Sequence, residues 1–403
     1  MTTPLSNIRV LDMSRILAGP WAGQLLGDYG ADVVKIERPG VGDDTRQWGP
    51  PWLDGSRDGE SAYFLSANRN KRSVTVNIAD EKGQRVIRDL AASADVLLEN
   101  YKVGTLQRYG LGPEELLSIN TRLIYCSISA FGQSGPRASE PGYDAMIQAS
   151  AGLMSITGPE GEDAGGPQKV GVAIADIMAG MYATTAVLAA LNARELSGRG
   201  QHIDVPLYDS QVAWLANQNM NYLVGGETPK RMGTGHPNLV PYQVFSTRDG
   251  SLMLAVGNDR QFAALAECVG KPELASDERF ERNSDRVVNR LELQRLLEAV
   301  FREHSTVFWL EALGNRSVPA GPVNSIEQVL TDSHAEERGL VRQLTNKLGQ
   351  SVPTVSNPVD FAETPVSYER PPPLLGEHTE EVLREWLGYS EELITELRDS
   401  AAI

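Results

Sequence analysis

Short apolar runs alternate with longer amphipathic stretches through the first half of the chain. Ile8 to Asp12 reads as a strand, and Asp32 to Glu37 (Asp-Val-Val-Lys-Ile-Glu) as a second. Between them, Gly19-Pro20 marks a helix start with Pro at the first helical position, and the helix is expected to stop near Gly30. Arg72 to Ile78 is a third β-rich run. A helix over about Glu81 to Ser93 follows, then strands over Asp95 to Glu99 and Ile124 to Ala130. Strands alternating with helices predict an open, mostly parallel α/β sheet.

A long helix is expected after Asp176, reaching about Glu195, and a strand over His202 to Val205 after the turn Gly198-Arg199-Gly200-Gln201. Beyond this the pattern changes. Tyr242 to Ser246 and Leu252 to Val256 flank Asp249-Gly250, a hairpin signal. Helices are expected over about Arg260 to Val269, Val287 to Glu303 and Ser305 to Leu313, the last capped by Ser305. Ser325 and Gln328 have the spacing of a capping box. After Pro371-Pro372-Pro373, Thr379 can cap a final helix through Glu385. The domain reading is therefore a large α/β domain over 1–218, a linker and glycine loop over 219–240, a small α+β domain over 241–330, and a return to the large domain over 331–403.

Composition narrows the function classes. A chain of 403 residues with 41% hydrophobic residues calls for two domains. A net charge of -16 argues against nucleic acid, though a few local cations could still hold a phosphorylated ligand. Cys126 and Cys268 form no CxxC pair and read as buried free thiols in a reducing compartment. The five histidines are scattered, without metal-ligand spacing, so no metal is expected. The N-terminus lacks a signal or transit pattern. Val172 to Leu191 is apolar but Ala- and Gly-rich and carries Asp176, which fits a buried helix better than a membrane span. The expected location is the cytoplasm, with no membrane partner.

Several residues could carry chemistry. The first β-α turn, Ser14 to Pro20, lacks GxGxxG, and Pro20 removes an N–H that would face a pyrophosphate, so a dinucleotide is disfavoured. Basic residues recur in apparent loops after strands: Arg15, Arg38, Lys71-Arg72, Lys102 and Arg108. Asp176 lies where an apolar run becomes a helix. Read locally, its carboxylate is a helix cap before it is a catalyst. Small neighbours such as Gly171 and Gly180 would let a ligand approach, and a helix N-terminus favours an ionised carboxylate. Asp144, just before a small-residue helix, is either another cap or a second acid near the first. His236, in Gly233-Thr234-Gly235-His236-Pro237, is either a solvated loop histidine or a functional one.

Taken in order, the motifs resemble one family. They are Leu11-Asp12 with Ala18-Gly19-Pro20, Lys35-Ile36-Glu37-Arg38-Pro39-Gly40, Gly42-Asp43-Asp44-Thr45-Arg46, Asn70-Lys71-Arg72-Ser73, Glu99-Asn100-Tyr101, Gly198-Arg199-Gly200-Gln201 and Leu375-Gly376-Glu377-His378-Thr379. Over nearly its whole length the chain resembles the class III CoA-transferases, the group of formyl-CoA and carnitine CoA-transferases. Asp43 to Pro51, Val240 to Phe245 and Arg370 to Gly376 look closest to the succinyl-CoA:glutarate (dicarboxylate) type. The resemblance implies a Rossmann-like large domain, a smaller α+β domain and an interlocked homodimer. It implies Asp176 as nucleophile. It implies coenzyme A contacts at Leu17, Ala18, Arg38, Val76, Asn77, Ile78, Ala79, Asn100, Tyr101, Lys102 and Arg108. The second carboxylate of the formyl enzymes falls on Asp144, and Leu17 stands where those enzymes have glutamine. A different acyl group is therefore expected.

The implied mechanism is covalent. Asp176 attacks an acyl-CoA to give a mixed anhydride, CoA thiolate converts this to an aspartyl-CoA thioester, and the acceptor acid attacks that thioester before CoA returns. Coenzyme A is then a substrate, with no permanently bound cofactor. Backbone N–H groups of loop 232–236 are the expected oxyanion donors. Arg46, and after it Arg231, is the expected partner for a distal carboxylate. Three rival readings are an acyl-CoA racemase, a nicotinamide dehydrogenase and a non-catalytic CoA-binding module. The racemases of this fold use a histidine where this chain has Tyr143, and tyrosine, with an ordinary pKa of about 10, is a poor base near neutral pH.

Overall fold

The computed structural model describes residues 3–57, 59–161 and 165–403, so Met1 and Thr2 of the N-terminal reading lie outside the described residues. The chain divides into two compact units. The first comprises Met1–Leu153, Val170–Gly225 and Ser333–Ile403; the second comprises Met154–Lys169 and Gly226–Asp332.

The first unit is built on a six-stranded parallel sheet. Its strands are β1 (Arg9–Asp12), β2 (Asp32–Glu37), β3 (Lys71–Thr75), β4 (Val96–Glu99), β5 (Ile124–Ser129) and β6 (Gln201–Pro206). Their spatial order is β3-β2-β1-β4-β5-β6. β1, β2 and β4 are buried over nearly their whole length, which is why they read as apolar runs rather than alternating ones. One face of the sheet packs Val86, Ile87 and Leu90 of helix Glu81–Ser93 together with Val382, Leu383 and Trp386 of helix Thr379–Leu387. The other face packs Ala22 and Leu26 of helix Ala18–Asp28 and Ala175, Ala179, Ala183 and Val187 of helix Ile174–Ser197.

Those last two helices approach closely. A Cβ on Gly180 would sit 2.6 Å from the Ala18 carbonyl oxygen, so only glycine fits there. Helix Ile174–Ser197 is long and apolar enough to cross a membrane by length and composition alone, and its Ala/Gly face is buried in this core.

Several sequence expectations shift. Helix Ala18–Asp28 begins before Pro20, which is its third residue. Lys71 and Arg72 lie on β3 rather than in a loop after a strand. Lys71 is fully buried against Asp12, and Arg72 pairs with Asp32, Glu381 and Glu385. Neither is available to a ligand. The expected linker begins with a helix, Asn217–Gly225, that belongs to the first unit. Thr379 does not cap by its side chain. It is the first residue of its helix, and its hydroxyl donates to the Gly376 carbonyl. A further helix, Glu391–Asp399, was not anticipated.

The second unit holds an antiparallel sheet of β7 (Tyr242–Ser246), β8 (Ser251–Ala255) and β9 (Ala320–Pro322). Helices Asp259–Cys268, Arg290–Phe301 and Thr306–Gly314 bury Phe262, Leu297 and Trp309 in one core with Phe245 of β7. Ser305 caps its helix as expected, and the Ser325–Gln328 capping box is complete. The helix expected over 287–303 is broken at Asn289. Cys126 is buried and Cys268 only partly so; both are free thiols.

Candidate active site

In a parallel sheet with the order 3-2-1-4-5-6, the chain leaves β1 and β4 toward opposite sides, and a crevice opens at their C-terminal ends. A pocket of the first unit sits there. It is lined by Arg15, Leu17 and Ala18 after β1, by Asn100, Tyr101 and Lys102 after β4, and by Tyr143 and Asp176. A second pocket shares Arg15, Asp44 and Tyr101 with it and adds Arg38 and Val76, Asn77, Ile78 and Ala79. Ten of the expected coenzyme A contacts thus line two pockets that share a wall. Arg108 lines neither; it is exposed on a short turn, Gln107–Tyr109.

The walls are held by backbone bonds. Asn100 clamps Arg15 from both sides: its Oδ1 accepts the Arg15 N–H at 2.8 Å and its Nδ2 donates to the Arg15 carbonyl at 2.7 Å. The Arg15 guanidinium lies 5.2 Å from the Tyr101 ring centre and 3.1 Å from Asp44. Glu99, at the end of β4, accepts the Tyr101 N–H at 2.8 Å. Burial pushes the Glu99 carboxyl up to about 7.

Asp176 is the third residue of helix Ile174–Ser197, not its cap; Ala173 holds the cap position. Among the described residues its carboxyl accepts no hydrogen bond and has no ion-pair partner. Asp144 is the first residue of helix Asp144–Ser150. Its Oδ1 accepts the Ala175 N–H at 2.8 Å and its Oδ2 accepts from Gln148 Nε2 at 2.7 Å. Gln148 Oε1 accepts the Val170 N–H at 2.8 Å. Asp144 and Gln148 thereby fix the segment that delivers Asp176. Burial, and then the charge of Asp144, push the Asp176 carboxyl up to about 7. Both effects oppose the helix end, which was expected to favour the ionised form.

Arg46, expected to meet a distal carboxylate, is occupied by partners within the protein. It is buried, its Nε and Nη2 fork Glu37 at 2.8 and 2.7 Å, its Nη1 reaches Glu60 at 2.9 Å, and Nη2 also donates to the Pro373 carbonyl. Phe64 stacks 3.7 Å from the guanidinium carbon. Every donor direction is taken. In the second unit, Arg231 donates to the Pro159 and Gly161 carbonyls. His236 accepts the Asn238 N–H on Nδ1, and burial and Arg290 lower its pKa. Within loop 232–236, the N–H groups of Gly233, Gly235 and His236 already bond the carbonyls of Gly158, Met232 and Tyr242. The loop can therefore offer fewer donors than expected. Among the described residues, no cluster of His, Cys, Asp and Glu could hold a metal ion.

An acid without partners among the described residues thus lies beside a second acid in the switch-point crevice, where open α/β sheets bind their ligands. The chain belongs to CoA-transferase family III, whose profile matches residues 5–379. It is 48% identical over 386 residues to a succinate–glutarate CoA-transferase of Agrobacterium fabrum, covering 95% of each chain. It is 44% identical to succinyl-CoA:glutarate CoA-transferase of Mus musculus, covering 99% of this chain and 90% of that one. The crystal structure of a CaiB/BaiF family protein from Brucella suis superposes with a TM-score of 0.83 at 45% identity, covering 96% of this chain and all of the other. The protein is a CoA-transferase, and a CoA thioester is its substrate.

Proposed function

We propose that this enzyme moves CoA from succinyl-CoA to glutarate or a closely related dicarboxylic acid, with the Asp176 carboxylate as nucleophile. The names of its relatives support the pair of acids. The observation that carries the nucleophile is the Asp176 carboxyl itself: half-buried, without partners, and on the wall of the crevice with Leu17, Ala18 and Asn100.

In the proposed cycle Asp176 attacks the thioester carbonyl, forming a mixed anhydride and expelling CoA thiolate. The thiolate attacks the Asp176 carbonyl and releases the first acid, leaving aspartyl-CoA. The acceptor carboxylate attacks that thioester and expels the thiolate again. The thiolate then takes the acceptor's acyl group and frees Asp176. Water must be kept from the anhydride throughout. Arg38, exposed in the second pocket, is suited to a phosphate of coenzyme A, and Lys102 lies exposed in the first. Arg46 is fully engaged, and Arg231, the other residue expected to meet a distal carboxylate, keeps two of its donors on the Pro159 and Gly161 carbonyls.

The working form is an interlocked homodimer in the cytoplasm. Met181, Tyr182 and Leu188 on helix Ile174–Ser197, and Leu223 and Val224 on helix Asn217–Gly225, are exposed in the single chain. Apolar side chains in this number call for a cover. Sedimentation of the intact protein at twice the chain mass supports the dimer, and a monomer overturns it.

The test is an acid panel incubated with succinyl-CoA and followed by mass spectrometry. New CoA thioesters of dicarboxylic acids are expected, and hydroxylamine should mark the Asp176 peptide. A wild-type enzyme that turns over no dicarboxylic acid overturns the substrates. An Asp176→Ala variant that still exchanges CoA overturns the mechanism.

A further inference from the structure

Beneath the turn that lines the first pocket lies a buried ion pair that the exchange itself does not use. Lys35, on β2, and Asp43 are shielded from solvent and 2.9 Å apart. Lys35 Nζ also donates to the Ser14 carbonyl at 2.8 Å. Asp43 accepts from the Thr45 N–H and hydroxyl, and both of its oxygens lie 3.3 Å from the Ile16 nitrogen, which donates to them.

Ile16 has φ of 71°. This is the left-handed region, which β-branched residues avoid and which persists only where the surroundings impose it. Ile16 stands in the pocket wall between Arg15 and Leu17. The backbone on either side of Arg15, leading into the strained Ile16, is thus gripped by the two members of one ion pair, the Ser14 carbonyl by Lys35 and the Ile16 N–H by Asp43.

Stability alone is a weak reason for such a pair. Two opposite charges buried this deeply are often matched or bettered by apolar side chains of similar volume. Their reach to both sides of one turn is a better reason. We propose that Lys35 and Asp43 are positioning residues that hold the turn Arg15–Leu17 in its left-handed form and so set the affinity for the CoA thioester. This rests on the reading that the turn contacts coenzyme A, and the experiment separates the two.

Asp43→Asn is compared with wild type by hydrogen–deuterium exchange of the segment containing residues 13–18, by calorimetric binding of CoA, and by kcat and KM for succinyl-CoA. Faster exchange in the turn, CoA binding weakened about tenfold and kcat held within about twofold are expected. In an Ile16→Gly background, where a positive φ carries no strain, Asp43→Asn should cost little further affinity. A merely structural role would cost as much affinity in that background as in wild type. Should Asp43→Asn fold poorly, the double variant Lys35→Met/Asp43→Leu removes both charges together and should show the same loosened turn and weakened binding. A folded variant whose turn exchanges as in wild type overturns the positioning role and leaves the pocket reading intact. A loosened turn with unchanged CoA binding overturns the pocket reading, and the inference with it.

Discussion

Asp144 holds the N–H of Ala175 at 2.8 Å, one residue before Asp176, the proposed nucleophile, whose carboxylate it also repels. The same carboxylate therefore does two things. It fixes where Asp176 sits, through the backbone, and it raises the pKa of Asp176, through space.

The first prediction concerns pH. With the Asp176 carboxyl pushed up to about 7, the proposed mechanism predicts that kcat/KM for the acyl-CoA falls about tenfold per pH unit below that value, as Asp176 takes up a proton. Asp144→Asn removes the like charge and keeps an acceptor for Ala175. The acid limb should then move to lower pH. A limb that stays in place would mean that burial alone sets the shift.

The same shift bears on stability. A carboxyl whose folded pKa lies above its unfolded value of about 3.9 holds its proton more tightly when folded. Folding is thus unpenalised below the unfolded pKa and loses stability as pH rises through the window up to about 7. Asp176→Asn should therefore melt a few degrees higher than wild type at pH 8. The gain should vanish near pH 4, as read by thermal unfolding across that range.

Arg46 gives a different kind of test. Removing it leaves Glu37 and Glu60 facing each other without their cation, and truncation of one partner in a buried pair costs about 3–5 kcal/mol. Arg46→Ala should lower stability by that amount in chemical denaturation. The fraction that remains folded should keep its KM for the dicarboxylate. A selective rise in that KM would restore Arg46 as a substrate contact.

Gly180 lies in the core, yet its substitution should reach the site. Alanine in a helix interior is ordinarily favoured over glycine by about 1 kcal/mol. Here its Cβ would meet the Ala18 carbonyl oxygen at 2.6 Å, a backbone atom that cannot rotate away. Overpacking of this kind costs about 1–3 kcal/mol and outweighs the propensity. Gly180→Ala should lower the melting temperature and raise the KM for acyl-CoA, because Ala18 lines the pocket.

Part of the parallel sheet was legible because β1, β2 and β4 are buried on both faces and helix Glu81–Ser93 is amphipathic. β2 and helix Glu81–Ser93 fall where the pattern put them. The site was legible in its parts but not in its wiring. Asp176 and Asp144 could both be singled out, but that Asp144 bonds Ala175 depends on a fold-level approach of two segments. Arg46 looked free because its partner Glu37 lies in a different element and Glu60 follows across a turn. Lys71 and Arg72 looked like loop cations because a charged residue inside a buried strand is recognisable only once its partners are in place. Ile16 carried no local sign at all: its left-handed backbone follows from Asp43 and Lys35, not from its own side chain. Nor did Met154–Lys169 show by composition that it belongs with the second unit.

One face of the parallel sheet is covered partly by Val382, Leu383, Trp386, Ile394 and Leu397, residues that come after all six of its strands. During synthesis the strands and their crossover helices can therefore assemble while that apolar surface is still bare, and it stays bare until translation passes residue 397. For most of its time on the ribosome the nascent chain should display a sticky, half-finished face. It should therefore be a client for chaperones that bind exposed apolar surface.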